Sequence, residues 1–405
     1  MVLLDLPFTK FKSKPPTPQS TASFGILHDD KESLGLSAIL AKANKNIYIF
    51  NEAITNGKSS YPFLEMTNLE QPGKHIIKYT PNCLDCQIDI KIPINELTNV
   101  KIHNDLNDFN LVNNLIFSGT KLQQPDFRES FHKVLNKNQA IYILDAPLLS
   151  GLEFAQLRKM SGFNEYCPII EISPLFNHVN VTKDYLSLAG LKELSYIAGT
   201  SKNMTRQGIA GLSPYPSNLM PASNCLERAF VNMAGIIRPL LLIHFLNLPK
   251  AKQDISSDFY ANPDLLKLTF ELEHELKLIL KAYSCSLKAL NQKAMTETSS
   301  QISYNKSLEA TFKTNVIKAA FHGLLGKSNL NIKLAFETII EDIRLNLVLI
   351  SQLAYLADVK LNLIPKAILQ MSDLSRCDIS AQARNLKDVG LDRLNYKEII
   401  EILNQ

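Results

Sequence analysis

The sequence predicts an α/β (α+β) N-terminal half with a short parallel βαβ unit, followed by a mainly α-helical C-terminal half. Three observations carry this expectation. Between 139 and 198, short apolar runs alternate with helically spaced ones, the order that builds a parallel sheet. After Asn224 no run reads as a strand. Between the two halves lies a stretch with three glycines, three prolines and only two charges, Lys202 and Arg206. The expected division is a flexible arm over 1–24, an α/β domain over 25–198, a long Gly/Ser/Pro loop over 199–224 and a helical domain over 225–405.

In chain order, Lys10, Lys12 and Lys14 precede Pro15, Pro16 and Pro18, which reads as a solvated arm. NIYIF (46–50), HIIKYTP (75–81) and CQIDIKIPI (86–94) are short, Ile-rich and bounded by turn residues, as strands are. AIYILD (140–145) and PIIEIS (168–173) are near-continuous apolar runs flanking LEFAQLRKM, the pattern of two buried parallel strands and their crossover helix. YLSLAGLKELSYIA (185–198) is predicted helical. In the second half, Asn262-Pro263-Asp264 starts a helix with a cap, a first-turn proline and a first-turn acid. Its stripe of Leu265, Leu268, Leu272, Leu276, Ile279 and Tyr283 runs toward Leu290. Ser299–Ser307 reads as a polar loop. Ile332, Phe336, Ile339, Ile343, Leu347, Ile350 and Ala354 stripe one long helix, with Leu345 and Val348 off the stripe, so it is buried on two sides and ends before Pro365. Gly390 separates short terminal helices.

Composition excludes several classes. The 405 residues are 45% hydrophobic and 20% charged, an ordinary globular balance. A net charge of +4 does not suit nucleic-acid binding. Six cysteines at this length are not a disulfide scaffold, which points to a reducing compartment. The first residues lack the basic and apolar regions of a signal peptide. The longest apolar run, 229–249, contains Arg238, Pro239 and His244 and reads as a buried helix pair, not a membrane span. The expected location is the bacterial cytoplasm, or outside the cell by a route without a cleaved signal.

Several motifs fail. HGLLGKS (322–328) has Phe321 where a phosphate loop needs glycine. Cys83-x-x-Cys86, flanked by His75 and His103, has no second pair, so no metal site is expected. His28-x-Asp30 and His103-x-Asp105 are chance matches to an iron-ligand spacing. Asp145 ends one buried run and Glu171 lies on the other, and ligands of open α/β sheets bind beyond strand ends. No G-x-G-x-x-G follows either run, and the cofactor is left unknown.

Cys225 stands in the first turn of an apolar helix behind Asn224, where the helix dipole favours thiolate. Over these few residues the arrangement resembles papain-like hydrolases, although the flanking pattern of that family is absent. The resemblance implies a histidine partner: His178 from the α/β half, or His244, His274 or His322. In the loop, Ser201, Lys202, Asn203 and Arg206 supply the groups that hold a phosphate or carboxylate. The glycines and prolines around them suit a closing lid. The sequence therefore points to a group-transfer enzyme or hydrolase acting on a small anionic or acyl substrate. Cys225 would be its nucleophile, with Asp145 and His178 assisting. The alternative is a non-catalytic interaction protein binding a protein partner, such as a secreted bacterial effector.

Overall fold

The computed structural model describes residues 23–27, 31–42, 45–50, 88–93, 100–103, 111–119, 135, 139–160, 168–181, 185–191, 194–212, 218–231, 234–248, 262–287 and 332–405. The arm before Ser23, the run 75–81, the Cys83/Cys86 pair, Ser299–Ser307 and the 322–328 stretch lie outside them.

The first half is an α/β sheet and the second is helical, as the sequence predicts. Eight strands form the main sheet: β1 (Ser23–Leu27), β2 (Asn46–Phe50), β4 (Val100–His103), β5 (Asn114–Ser118), β6 (Ala140–Leu144), β7 (Ile169–Ile172), β10 (Leu194–Gly199) and β11 (Asn218–Pro221). Their order is β4-β2-β1-β5-β6-β7-β10-β11. The first six are parallel and β10 enters antiparallel to β7. Strand order reverses at β1, between β2 and β5, the topological switch point of a doubly wound fold. β3 (Ile88–Pro93), β8 (Phe176–Val181) and β9 (Tyr185–Leu191) make a separate antiparallel sheet.

Both faces of the main sheet are covered, which is why its strands read as unbroken apolar runs. α1 (Lys31–Lys42) and α3 (Lys202–Gly211) pack on Phe24, Ile26, Ile47, Ile49, Ile116 and Ile170. α2 (Ser150–Met160) packs Phe154 on Phe117, Ile141 and Ile143 of the opposite face. The predicted βαβ unit is therefore β6–α2–β7.

Three sequence expectations change. SFGIL, at the end of the supposed arm, is strand β1 with all five residues buried. The segment 185–198 is not a helix but β9 and most of β10. Its Leu186–Leu188 and Leu194–Tyr196 spacings alternate with a period of two. The stretch 199–224 is not a loop without structure: it carries α3 and β11, which complete the sheet.

The helical half holds α4 (Cys225–Val231), α5 (Ala234–Asn247) and α6 (Pro263–Ala282). Asn262 caps α6 by accepting from the Asp264 amide. The long striped helix is α7 (Ile332–Asp342), a π-helical turn (Ile343–Leu347) and α8 (Val348–Leu356). It ends at Leu356, ahead of Pro365, which instead lies in the first turn of α9 (Leu363–Ser375). α10 (Tyr396–Leu403) closes the chain with a capping box from Asn395 and Glu398. Leu148, Leu149, Tyr196 and Ala198 of the first half share one apolar core with these helices. The stretch Cys225–Asn247 is long and apolar enough to cross a membrane, yet it is largely packed inside that core.

Candidate functional site at the junction of the two halves

The parallel strands end at Leu27, Phe50, Ser118, Leu144 and Ile172. Immediately past β5 stands Gly119, where an added Cβ would lie 2.4 Å from Pro147 Cδ and 2.8 Å from Ala146 Cα. Glycine is thus what allows the ends of β5 and β6 to meet. The segment after β6 is the anchor for the helical half, and Arg228 and Asn346 reach it. Arg228 of α4 donates to Ala146 O (2.7 Å) and Pro147 O (3.1 Å) and pairs with Glu171 of β7. Glu171 also accepts from the Gly151 amide at 2.6 Å. Asn346 of the π-helical turn accepts from the Leu148 amide at 3.0 Å. Arg384 lies 2.7 Å from Glu153 of α2 and donates to Leu345 O at 2.9 Å.

Above this anchor lies a second ion pair. Arg238 of α5 grips Asp342 at the end of α7 with two bonds, Nε to Oδ2 at 2.7 Å and NH2 to Oδ1 at 2.6 Å. The side chains are 23% and 7% exposed. Gly235 makes the approach possible, since a Cβ there would lie 3.2 Å from Asp342 Oδ1 and 3.3 Å from Asn346 Nδ2. Burial raises the Asp342 carboxyl, Arg238 pulls it down, and Asp145 and Glu341 raise it, the balance lying at about 7. Burial wins over the bidentate arginine, so the group exchanges a proton near neutrality. The π-helical turn begins directly after Asp342, and such turns collect at functional sites because they re-aim side chains within a helix. Asn346 donates back to Asp342 O at 3.3 Å.

The residues expected from sequence fall in different places. Asp145 is solvent-exposed at the end of β6, with a left-handed φ of 42°, and its charge is felt by Asp342. Cys225 is 3% exposed and its thiol meets Gly199 O at 3.5 Å. Burial and the charge of Glu171 raise its pKa well above the usual thiol value, which reverses the expected thiolate. Ser201 caps α3 by accepting from the Met204 amide, and Lys202 Nζ donates to Asn404 O at 2.9 Å. Asn203 and Arg206 are exposed on α3. Because β10 is antiparallel to β7, its end pairs with the start of β7, Gly199 with Ile170. The head of α3 therefore lies toward the opposite edge of the sheet from Asp145. His178 sits in β8 of the small sheet, paired with Ala189. His244 and His274 lie on α5 and α6, and His322 is outside the described residues.

Arg238 and Asp342 were not read from the sequence as a site. The available signal was an arginine-proline pair inside an apolar helix. Among the described residues no His/Cys/Asp/Glu group could hold a metal ion. A groove of about 770 Å³ lined by Val348, Gln352, Ile368, Leu369 and Asp373 is built wholly from the helical half, away from the strand ends.

No protein-family model and no curated protein sequence matches this chain. Solved structures do. Octopine dehydrogenase bound to NADH and L-arginine is 12% identical, with a TM-score of 0.63 over 95% of this chain and 98% of that one. The same enzyme with NADH and agmatine is 13% identical, TM-score 0.62, over 95% and 98%. With NADH and pyruvate it is 13% identical, TM-score 0.57, over 92% and 97%. This overturns the expectation of a group-transfer enzyme or hydrolase with Cys225 as nucleophile: the likeness runs through both halves, to a dehydrogenase. Secretion as an effector finds no support in it either. The chain has the two-part fold of octopine dehydrogenase, a doubly wound sheet followed by a helical half.

Proposed function

We propose that this chain is an oxidoreductase acting on a small polar substrate at the junction of its sheet and helical halves, with Asp342 as the proton-exchanging group. The observation that carries the reading is Asp342 itself. It is a buried carboxyl raised to about 7, gripped by Arg238 and within the field of Asp145 at the end of β6. Oxidation of a hydroxyl or amine requires a group to take its proton, and a carboxylate with a pKa near the working pH is suited to that task. Arg238 uses two N–H groups on Asp342, and the guanidinium carries five. The remainder suits a substrate carboxylate. The neighbour's structures with L-arginine and pyruvate favour an amino acid or 2-oxo acid. Asp145 would face the substrate from the β6 end, and the working units divide after Asn224. A cytoplasmic location and a small-molecule partner follow from this reading.

The fold also implies a nicotinamide dinucleotide. Folds of this kind seat its pyrophosphate on a G-x-G-x-x-G turn between the first strand and first helix. Here that turn joins Leu27 to Lys31, and positions 28–33 read His-Asp-Asp-Lys-Glu-Ser. These residues do not fit the group, and Asp342 is assigned proton exchange alone.

The test offers a panel of amino acids, 2-hydroxy acids and 2-oxo acids to the full chain, with NAD(P) and a two-electron dye supplied in parallel. Turnover of a panel member should fall about 10²–10⁴-fold in Asp342→Asn, the usual contribution of a general acid–base, and persist in Cys225→Ser. Equal rates in wild type and Asp342→Asn, or no turnover of any member, would remove the proposal.

A further inference from the structure

The π-helical turn after Asp342 is held by more than its own main chain. Within it the Val348 amide bonds to Ile343 O, five residues back instead of four. Three carbonyls along the turn receive donors that are not part of the helical ladder. Asn346 Nδ2 donates to Asp342 O at 3.3 Å. The Arg384 amide donates to Arg344 O at 3.0 Å, and the Arg384 guanidinium to Leu345 O at 2.9 Å. Helix irregularities of this kind arise where side chains enter the ladder. The Arg384 segment is itself pinned: Gln352 accepts the Leu386 amide at 3.0 Å, and Arg344 donates to Gln382.

Both side chains reach on into the sheet half. Asn346 Oδ1 accepts from the Leu148 amide at 3.0 Å, and Arg384 pairs with Glu153 of α2 at 2.7 Å. Leu148 belongs to a fixed segment. Asp145 and Leu149, on either side of it, take left-handed φ values of 42° and 56°, which non-glycine residues keep only where their surroundings impose them. Arg228 clamps the two carbonyls between them, Ala146 O and Pro147 O. A rigid piece of the sheet half thus supports an irregular turn that begins one residue after Asp342. An α-helix advances about 100° per residue. Closing the π-turn into regular helix would therefore rotate Asp342 by about that angle against α8, and off Arg238.

We propose that Asn346 and Arg384 are positioning residues, through which the sheet half holds the π-helical turn open and keeps Asp342 on Arg238. Each acts through Asp342 and not on the substrate. The inference rests on the reading of Asp342 as the proton-exchanging group.

The experiment follows the Asp342 carboxyl by carbon-detected NMR in the full-length protein and in Asn346→Ala, Arg384→Lys and Ser201→Ala. Asp342 responds to burial first, then to Arg238 on α5, Asp145 after β6 and Glu341 on its own helix. Asn346 carries no charge, so a shift in Asn346→Ala reports a change of position. The midpoint should fall from near 7 to about 6 or lower, because a carboxyl turned toward water loses the burial that raises it. Arg384→Lys offers one nitrogen where the guanidinium uses two, and its midpoint should fall part of the way. Ser201→Ala removes only the cap of α3 and should leave the midpoint near 7. Asn346→Thr returns a donor to Asp342 O, since threonine can bond the carbonyl four residues back, and should recover part of the loss. Turnover of an active panel member should drop about 10²-fold in Asn346→Ala, in kcat and not in KM. Unchanged midpoints in folded Asn346→Ala and Arg384→Lys would overturn the inference, even where wild-type turnover upheld the role of Asp342. Should Asn346→Ala fail to fold, Arg384→Lys decides alone. A shifted midpoint with no turnover of any panel member would remove the oxidoreductase reading while the positioning by Asn346 stood.

Discussion

Two arginine–carboxylate pairs, on arginines ten positions apart in sequence, do different work: Arg228–Glu171 joins the sheet to the helices, and Arg238–Asp342 joins two helices of the second half. Arg228 and Glu171 are both fully buried, and Arg228 also holds two main-chain carbonyls. Both terminal nitrogens of Arg228 are held, so the pair acts as a rivet. Arg238 and Asp342 meet with bidentate geometry but keep some exposure, and the aspartate is raised to about 7. The difference teaches that charge pairing alone does not mark a site. The informative combination is a pair left partly open, titrating near neutrality, beside a helix irregularity and at the strand ends.

The largest effects are expected at the rivet. Arg228→Ala leaves Glu171 buried without its partner and should cost about 3–5 kcal/mol, read by urea denaturation. Replacing Arg228 with Met and Glu171 with Leu together should recover most of that loss, since a buried pair and an apolar pair of similar size are often equally stable. Arg384→Ala, which removes the contact with Glu153, should cost about 3 kcal/mol, at the lower end of that range.

The open pair should show itself in pH dependence. Asp342 has a folded pKa above its unfolded value of 3.8, so the native state holds the extra proton between the two. Its stabilising contribution is complete below about pH 4 and is lost as pH rises through about 7. Stability of wild type relative to Asp342→Asn should therefore decline from pH 4 to 7 and level off above 8. A flat difference would place Asp342 with the rivets.

The smallest effects belong to the head of α3. Ser201→Ala removes an N-cap and should cost about 1 kcal/mol. Lys202→Ala and Arg206→Ala should leave the melting temperature and ligand binding nearly unchanged. Loss of substrate binding in either would restore the anion site expected there.

Much of the architecture is legible in the sequence, and the reasons for the rest are specific. β6–α2–β7 was readable because both strands are buried on two faces and bounded by turn residues. The start of α6 was readable because Asn262, Pro263 and Asp264 each satisfy a separate requirement of a helix start. β1 was hidden because a five-residue strand directly follows a Lys/Pro-rich segment. The segment 185–198 reads as a helix because Leu188, Leu191 and Leu194 fall at helical spacing although they belong to two strands, β9 and β10. Read as a helix, the segment would carry the 199–224 stretch to the strand ends, whereas antiparallel β10 takes it toward the other edge. Asp342 was illegible because the apolar stripe from Ile339 to Leu347 runs on through the π-helical turn without a break in spacing.

The most direct test of the account is a carbon-detected NMR titration of the aspartate carboxyls, with Asp342→Asn assigning the resonance. Asp342 should show a midpoint near 7, moving when a panel substrate binds. A midpoint at the ordinary value of about 3.9, indifferent to every panel member, would contradict it and leave Arg238–Asp342 as a second rivet.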